Sequence, residues 1–226
     1  MQIQAILFDF DYTLADSSRG AIDCIGFALG QLGFAPAPDE AARRTIGLSL
    51  PDTLAALVGP QPAEVSAEFA RLFVEQADRV MADKTVLLPD VRETVELLRA
   101  QGLVLGIVST KYRRRIETIL QREGLRAPFD VIVGGEDVAA HKPDPESLQW
   151  AIAQLGVGSD VVLYVGDSVT DAKAAKRAGL PFAAVLSGVT PREAFSAYDA
   201  RAVVCGLREL RDWIVEPCKD GQGRQR

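Results

Sequence analysis

The chain has 226 residues, of which 48% are hydrophobic and 25% charged, and its net charge is −6. These values are typical of a globular protein and exclude disordered and fibrous classes. The acidic balance also disfavours nucleic acid as a partner, because phosphate backbones are bound by clustered Lys and Arg.

Neither a membrane partner nor secretion is expected. No apolar run approaches the roughly 18 residues that a transmembrane helix requires, and the N-terminus has no basic region ahead of an apolar one. The three cysteines, Cys24, Cys205 and Cys218, are odd in number and show no metal-binding spacing. These features predict a cytoplasmic protein.

Short β-branched runs, most of them followed by a helical pattern, recur along most of the chain. This alternation predicts a doubly wound, Rossmann-like α/β fold with a parallel sheet, in which ligands bind at the carboxyl ends of the strands. Amphipathic helices are predicted at residues 91 to 100 and 116 to 124. The predicted strands are, in chain order, Ile6 to Phe8, Val104 to Val108, Val131 to Val133, Val161 to Val165, Phe182 to Val185 and Ala202 to Val204.

Residues 17 to 83 depart from this alternation. They show helical periodicity without a strand pattern, and Gly- and Pro-containing breaks fall at 33 to 38, 47 to 51 and 59 to 62. We therefore predict an all-helical domain of about four helices, inserted into an α/β core formed by residues 1 to 16 and 84 to 216. Residues 217 to 226 are expected to form a disordered tail. The basic run Lys111 to Arg115 is interpreted as a solvated helix start.

Polar and charged side chains cluster around the ends of the predicted strands. Because the carboxyl ends of neighbouring parallel strands meet in one crevice, we expect these side chains to lie close together. They are Asp9 and Asp11 after the first strand, Ser109 and Thr110 after the second, Asp167 and Asp171 after the fourth, and Lys142 in the segment before the fourth.

Four carboxylates in one crevice would repel one another and raise their pKa values unless a cation lay among them. Mg²⁺ is suited to such a site, because it takes carboxylate, water and phosphate oxygens as ligands. Lys142 and the hydroxyl and backbone N–H groups of Ser109 and Thr110 are suited to phosphate oxygens. The crevice is therefore interpreted as a phosphoryl-transfer site, in which one Asp attacks phosphorus and another moves protons.

Four segments contain these residues. Three lie at the ends of the first, second and fourth predicted strands, and one precedes the fourth strand; in chain order they are "DFDYTL", "VSTK", "HKPDPE" and "GDSVTD". Together they resemble the four motifs of the haloacid dehalogenase superfamily of phosphohydrolases, and the resemblance extends from residue 3 to about residue 210. Within that superfamily, the stretch from "VSTK" to "VGDSVTDAKAAKRAG" is most similar to the phosphoglycolate phosphatases.

The resemblance implies roles in phosphoryl transfer for five residues. Asp9 would be the nucleophile and Asp11 the general acid and base. Ser109, the main-chain amide of Thr110, and Lys142 would hold the transferring phosphoryl group.

The resemblance also implies a Mg²⁺ site. The metal would be bound by the side chains of Asp9 and Asp167 and by the main-chain carbonyl of Asp11. Asp171 would order Lys142 or a metal-bound water, and Thr13 would support the loop.

The helical insertion occupies the place where one subclass of the superfamily carries a cap, which would exclude water and select the leaving group. Position 12 is commonly Gly in the phosphoglycolate phosphatase group, whereas this chain has Tyr12. We expect its ring to narrow the mouth of the site.

The leading hypothesis is a Mg²⁺-dependent phosphatase for a small phosphorylated metabolite, with 2-phosphoglycolate as the first candidate. A sugar phosphomutase, a pyrophosphatase and a nucleotidase are enzyme alternatives. A phosphoacceptor signalling module, which would keep a stable aspartyl phosphate, is an alternative of another class. The leaving group and the oligomeric state are left open.

Overall fold

A six-stranded parallel sheet forms the centre of the protein, as seen in a computed structural model that describes residues 3–215. The strands, in chain order, are β1 (Ala5–Phe8), β2 (Ala15–Asp16), β3 (Val86–Leu87), β4 (Val104–Val108), β5 (Val131–Val133), β6 (Val162–Gly166), β7 (Phe182–Val185) and β8 (Ala202–Val204). The order in the sheet is β5-β4-β1-β6-β7-β8, and β2 pairs with β3 in a separate antiparallel ribbon. The predicted tail at residues 217 to 226 lies outside the described residues.

Four helices lie between β2 and β3. They are α1 (Ser18–Gln31), α2 (Asp39–Arg43), α3 (Leu50–Val58) and α4 (Ala63–Val80). Apolar side chains such as Ile25, Leu54 and Phe69 form a hydrophobic cluster of their own among these helices. Four helices thus occupy the predicted insertion, and the domain boundaries at residues 16/17 and 83/84 stay a prediction.

Within residues 3–215, five further helices cover both faces of the sheet: α5 (Val91–Ala100), α6 (Arg113–Arg122), α7 (Glu146–Leu155), α8 (Val169–Ala178) and α9 (Leu207–Val215). Side chains alternate along a strand, so Ile6 and Phe8 join the hydrophobic cluster that includes α5, α6 and α9. Leu7 joins the cluster that includes α7 and α8. This arrangement confirms the predicted doubly wound α/β fold.

Three predicted elements differ in their bounds. The first predicted strand begins one residue earlier, at Ala5. Val161 belongs to a single 3₁₀ turn, Ser159–Val161, so the fourth predicted strand begins one residue later and ends at Gly166. The helix predicted from residue 116 begins at Arg113 and ends at Arg122.

The interpretation of Lys111 to Arg115 as a solvated helix start is wrong for two of its members. Lys111 and Arg115 are buried, with 9% and 7% of their surface exposed. Arg115 donates hydrogen bonds to Asp78 Oδ1 at 2.8 Å and to the carbonyl of Val74 at 2.9 Å. Because Val74 and Asp78 lie on α4, this side chain ties the helical insertion to the α/β core, and Lys111 contributes to the site below.

Candidate active site

The site is built at the carboxyl edge of the three central strands. Phe8 of β1 lies opposite Ile107 of β4 and Val165 of β6. The residues that follow these strands therefore emerge side by side. They include Asp9, whose amide donates to the carbonyl of Val165 at 2.8 Å, together with Ser109 and Asp167.

Lys142 joins two of the predicted carboxylates. Its Nζ lies 2.7 Å from Asp9 Oδ1 and 2.6 Å from Asp171 Oδ1. The same nitrogen donates to the hydroxyl of Tyr164 at 3.0 Å. Tyr164 is fully buried and donates in turn to Asp171 Oδ1 at 2.8 Å. These four side chains form one hydrogen-bonded group beneath the strand edge.

Burial controls the protonation of this group. It raises the pKa of Asp9 to about 7, although the Lys142 ammonium opposes the shift. Burial also raises the pKa of Asp167 well above its usual range, and the charges of Asp171 and Asp9 add to that effect. Burial of Lys142 lowers its pKa. The charges of Asp171 and Asp9 outweigh this effect and raise the pKa of Lys142 well above its usual range. Ionisation of all three carboxylates would place more negative charge here than Lys142 balances, and therefore the site favours a bound proton or a bound cation.

Asp9, Asp167 and Asp171 can each direct one oxygen so that the three atoms lie within 4.8 Å of one another. No salt bridge reaches Asp167 in residues 3–215. The loop after β7 lies directly against this carboxylate, because a Cβ placed on Gly188 would lie 1.9 Å from Asp167 Oδ2. Buried, unbalanced carboxylate oxygens are the donors that a hard divalent cation such as Mg²⁺ prefers, so the residues present fit a Mg²⁺ ion.

Asp11 lies in a different environment from Asp9, although only one residue separates them. The hydroxyl of Ser17 donates to Asp11 Oδ1. Lys111 Nζ lies 3.2 Å from Asp11 Oδ2 and donates to Ser17 Oγ at 3.3 Å. Asp9 thus contacts Lys142, whereas Asp11 contacts Lys111 and Ser17. These separate environments suit two carboxylates with different roles in a reaction.

The remaining predicted residues lie around this edge. Ser109 is buried, and its Oγ accepts a hydrogen bond from the amide of Lys111 at 3.2 Å. Thr110 reaches the helical insertion, since its Oγ1 donates to the carbonyl of Gly47 at 3.5 Å. Thr13 is fully buried, and its Oγ1 has no hydrogen-bond partner among the described residues.

A cavity of about 330 Å³ lies between the helical insertion and the strand edge. Apolar side chains of the insertion form much of its wall, and the α/β core contributes Asp11, Thr110, Lys111 and His141. Its size is that of a small-molecule site, for which about 300–1,000 Å³ is usual. A ligand in this cavity would therefore contact both the insertion and Asp11.

Tyr12 does not have the predicted position at the mouth of this cavity. It is absent from the cavity wall as far as the described residues define it, and only 5% of its surface is exposed. Its backbone adopts the left-handed conformation, with φ of 59°. That conformation is uncommon for a residue with a side chain and is the one that favours Gly.

Sequence reasoning missed Tyr164 and Lys111 as members of the site. Tyr164 stands in the apolar run Val161 to Val165, where its ring indicates a core residue, yet a buried phenol requires a hydrogen-bond partner. That requirement was the available signal. Lys111 follows the strand-end residues Ser109 and Thr110 directly, and its nearness to them was the corresponding signal.

Comparisons with known proteins agree with this geometry. Residues 6–185 match the family model described as haloacid dehalogenase-like hydrolase. The phosphoglycolate phosphatase of Rhodospirillum rubrum is 32% identical over 96% of this chain and 93% of its own length. The phosphoglycolate phosphatase of Salmonella typhimurium is 30% identical over 97% of this chain and 96% of its own.

Among solved structures, one described as a haloacid dehalogenase-like hydrolase from Bacteroides fragilis superposes with a TM-score of 0.90. It is 42% identical and covers 92% of this chain and 100% of its own. The match to the family model spans well over half of the chain, and the relatives are matched over nearly their whole length. The chain therefore belongs to the haloacid dehalogenase-like hydrolases, and it is a phosphoric monoester hydrolase of that family.

Proposed function

We propose that the protein is a Mg²⁺-dependent phosphatase that hydrolyses a small phosphorylated metabolite through an aspartyl phosphate on Asp9. The observation that carries the proposal is the buried group at the strand edge, in which Asp9 lies 2.7 Å from Lys142 Nζ and close to Asp167 and Asp171. A carboxylate held in this way is fixed in position and faces positive charge that can also attract phosphate oxygens.

In the first half of the reaction, a carboxylate oxygen of Asp9 attacks phosphorus, and the bond between phosphorus and the ester oxygen breaks. Asp11 donates a proton to the departing oxygen, so the leaving group departs as an alcohol. Lys142, Ser109 and the amide of Thr110 hold the phosphoryl oxygens during the transfer.

In the second half, Asp11 accepts a proton from water, and the water oxygen attacks phosphorus. The bond between phosphorus and Asp9 breaks, which releases inorganic phosphate and restores the carboxylate. The separate environments of Asp9 and Asp11 support this division of labour, because each carboxylate keeps its own cationic partner.

The side chains of Asp9 and Asp167 and the main-chain carbonyl of Asp11 would hold Mg²⁺, and Asp171 would keep Lys142 in place. When bound, the ion would supply positive charge that offsets the phosphate and carboxylate charges.

We propose 2-phosphoglycolate as the first substrate to test, because the relatives matched over nearly their whole length are named phosphoglycolate phosphatases. A cytoplasmic location is part of the proposal, and the free thiols of Cys24 and Cys205 support it. Small metabolites, and neither nucleic acid nor membrane, are the proposed partners.

Phosphate release from a phosphate ester in the presence of Mg²⁺ or EDTA tests the proposal. We expect release with Mg²⁺, little with EDTA, and a loss of at least about 1,000-fold in Asp9→Asn, because the amide cannot form the phosphoenzyme. Asp160→Asn, at an exposed aspartate, is the matched control and should match the wild type. Full Mg²⁺-dependent turnover by Asp9→Asn would contradict the proposal.

Three further measurements separate the alternatives. A phosphomutase would convert β-glucose 1-phosphate in the presence of a bisphosphate primer. A pyrophosphatase or nucleotidase would prefer pyrophosphate or nucleotides over 2-phosphoglycolate. A phosphoenzyme that persisted for minutes without turnover would favour the signalling module.

A further inference from the structure

We infer that Lys111 is a specificity-determining residue that binds a carboxylate on the leaving group, so that the preferred substrates are phosphate esters of 2-hydroxy carboxylic acids. The inference rests on the proposed function, since it assigns the leaving group of the same reaction. It adds a residue to which the sequence pattern gave no role, and it defines a class of substrates wider than glycolate.

Lys111 lies where the acid-base residue meets the cavity. Its side chain is 6% exposed, and its Nζ contacts Asp11 Oδ2 and Ser17 Oγ. All three of these residues also line the cavity. An ammonium group has three N–H donors, and the contacts within residues 3–215 account for two at most. At least one donor is therefore available to a ligand in the cavity.

The other Lys or Arg of the cavity wall, as far as the described residues define it, has an acidic partner that lies outside this wall. Arg115 also lines the cavity, but its guanidinium is bonded to Asp78 and to the carbonyl of Val74. Among the described Lys and Arg residues of this wall, Lys111 is therefore the one that pairs with an acidic residue of the site, Asp11. His141 adds a polar edge, because its buried Nδ1 has no partner among the described residues.

The charge available in the cavity favours a carboxylate over a second phosphate group. Lys111 shares its single charge with Asp11, so it can compensate one further negative charge in part. A sugar bisphosphate or a pyrophosphate would bring two or more further charges to a wall whose other described cation, Arg115, is already paired with Asp78. Burial of unpaired charge is costly, and therefore the leaving group should carry one carboxylate.

The position of Asp11 fixes where that carboxylate is attached. Asp11 is proposed to protonate the ester oxygen, and Lys111 Nζ is 3.2 Å from Asp11 Oδ2. A carboxylate one carbon away from the ester oxygen would therefore lie next to Lys111. The cavity of about 330 Å³ is bounded elsewhere by side chains such as Ile25, Leu50 and Phe73, which leaves apolar space for a substituent on that carbon.

The inference is tested with two esters that differ in charge at one place. 2-Phosphoglycolate carries a carboxylate where 2-hydroxyethyl phosphate carries a neutral alcohol. The measured quantity is the ratio of kcat/KM for the first ester to that for the second, because a general loss of activity cancels in this ratio.

We expect the wild-type ratio to exceed about 10 and to fall by about 10- to 100-fold in Lys111→Met, which is the usual worth of a hydrogen bond to a charged group. Lys111→Arg, which keeps the charge, should retain most of the preference. The wild-type enzyme should also hydrolyse 2-phospholactate, whose extra methyl group would enter the apolar space.

Each failure has a distinct meaning. A wild-type ratio near one, or an unchanged ratio in Lys111→Met, would overturn the inference and leave the phosphatase proposal intact. Absence of Mg²⁺-dependent phosphate release from every ester, phenyl phosphate included, would overturn both. A second test uses the wild-type enzyme alone. Glycolate should inhibit phenyl phosphate hydrolysis at concentrations at least about 10-fold below the concentrations of ethylene glycol that give the same inhibition. Equal inhibition by the two would contradict the inference.

Discussion

Replacement of Tyr164 by Phe removes one buried hydroxyl from the site and leaves the ring in place. That hydroxyl accepts a hydrogen bond from Lys142 Nζ at 3.0 Å and donates one to Asp171 Oδ1 at 2.8 Å. Lys142 keeps its contacts with Asp9 at 2.7 Å and Asp171 at 2.6 Å. The ammonium therefore stays paired, but its position is less restricted.

The structure sets the size of the expected effect. A hydrogen bond to a charged group is worth about 1.5–3 kcal/mol, and the two direct contacts between Lys142 and the carboxylates compensate part of the loss. We expect about 1–3 kcal/mol of lost transition-state stabilisation, which is a fall in kcat of roughly 5- to 150-fold. KM should change little, because Tyr164 is fully buried and does not belong to the cavity wall.

Steady-state kinetics of Tyr164→Phe, together with its melting temperature, test this reasoning. Tyr198→Phe is the matched control, because Tyr198 lies near Asp160 and Pro181 at the opposite end of the sheet. A kcat within about twofold of wild type in a normally stable Tyr164→Phe would refute the positioning role. A large rise in KM at unchanged kcat would refute it as well.

Three further predictions concern stability and the loop after β1. In the metal-free protein, the pKa of Asp9 is raised to about 7, so the folded state binds this proton more tightly than the unfolded state. The stabilisation that this bound proton provides is complete below about pH 4 and is lost as the pH rises through about 7. Urea unfolding in EDTA should show this decline, and the decline should be smaller in Asp9→Asn. Lys142→Met should lower the free energy of unfolding by about 3–5 kcal/mol and abolish turnover, because it leaves Asp9 and Asp171 buried without their cation; an unchanged urea midpoint would contradict this. Tyr12→Gly should relieve about 1 kcal/mol of left-handed strain and lose about 2–3 kcal/mol of ring burial, so urea unfolding should show a net loss of about 1–2 kcal/mol, and a net gain would show that the ring contributes little.

The strand ends could be predicted because they depend on local pattern. β-branched runs such as Val104 to Val108 give a parallel strand wherever helices cover both faces, and polar residues after such runs must lie at one edge. Asp9, Lys142 and Asp171 meet there as expected. The short ribbon of Ala15–Asp16 with Val86–Leu87 was not predicted, because two residues give no periodicity.

Side-chain partners could not be predicted, because they depend on distant segments. Lys111 has the composition of a helix start, and its burial follows from Asp11 and Ser17, which lie about a hundred residues earlier in the chain. Tyr164 is similar, since its partner Lys142 comes from the segment before α7. Tyr12 was predicted to narrow the mouth of the site because it replaces the Gly of the resembling motif. Instead its backbone is left-handed and its side chain is buried.

The central claim is that Asp9 carries the phosphoryl group during turnover, and it can be measured directly. Asp11→Asn slows the hydrolysis of the phosphoenzyme, so rapid quenching after addition of a good aryl phosphate and Mg²⁺ should trap it. Mass spectrometry of the digested protein should then locate one phosphoryl group on the peptide that contains Asp9, and none should form in the Asp9→Asn variant. A phosphoryl group on another residue, or rapid turnover with no phosphoenzyme under these conditions, would contradict the account.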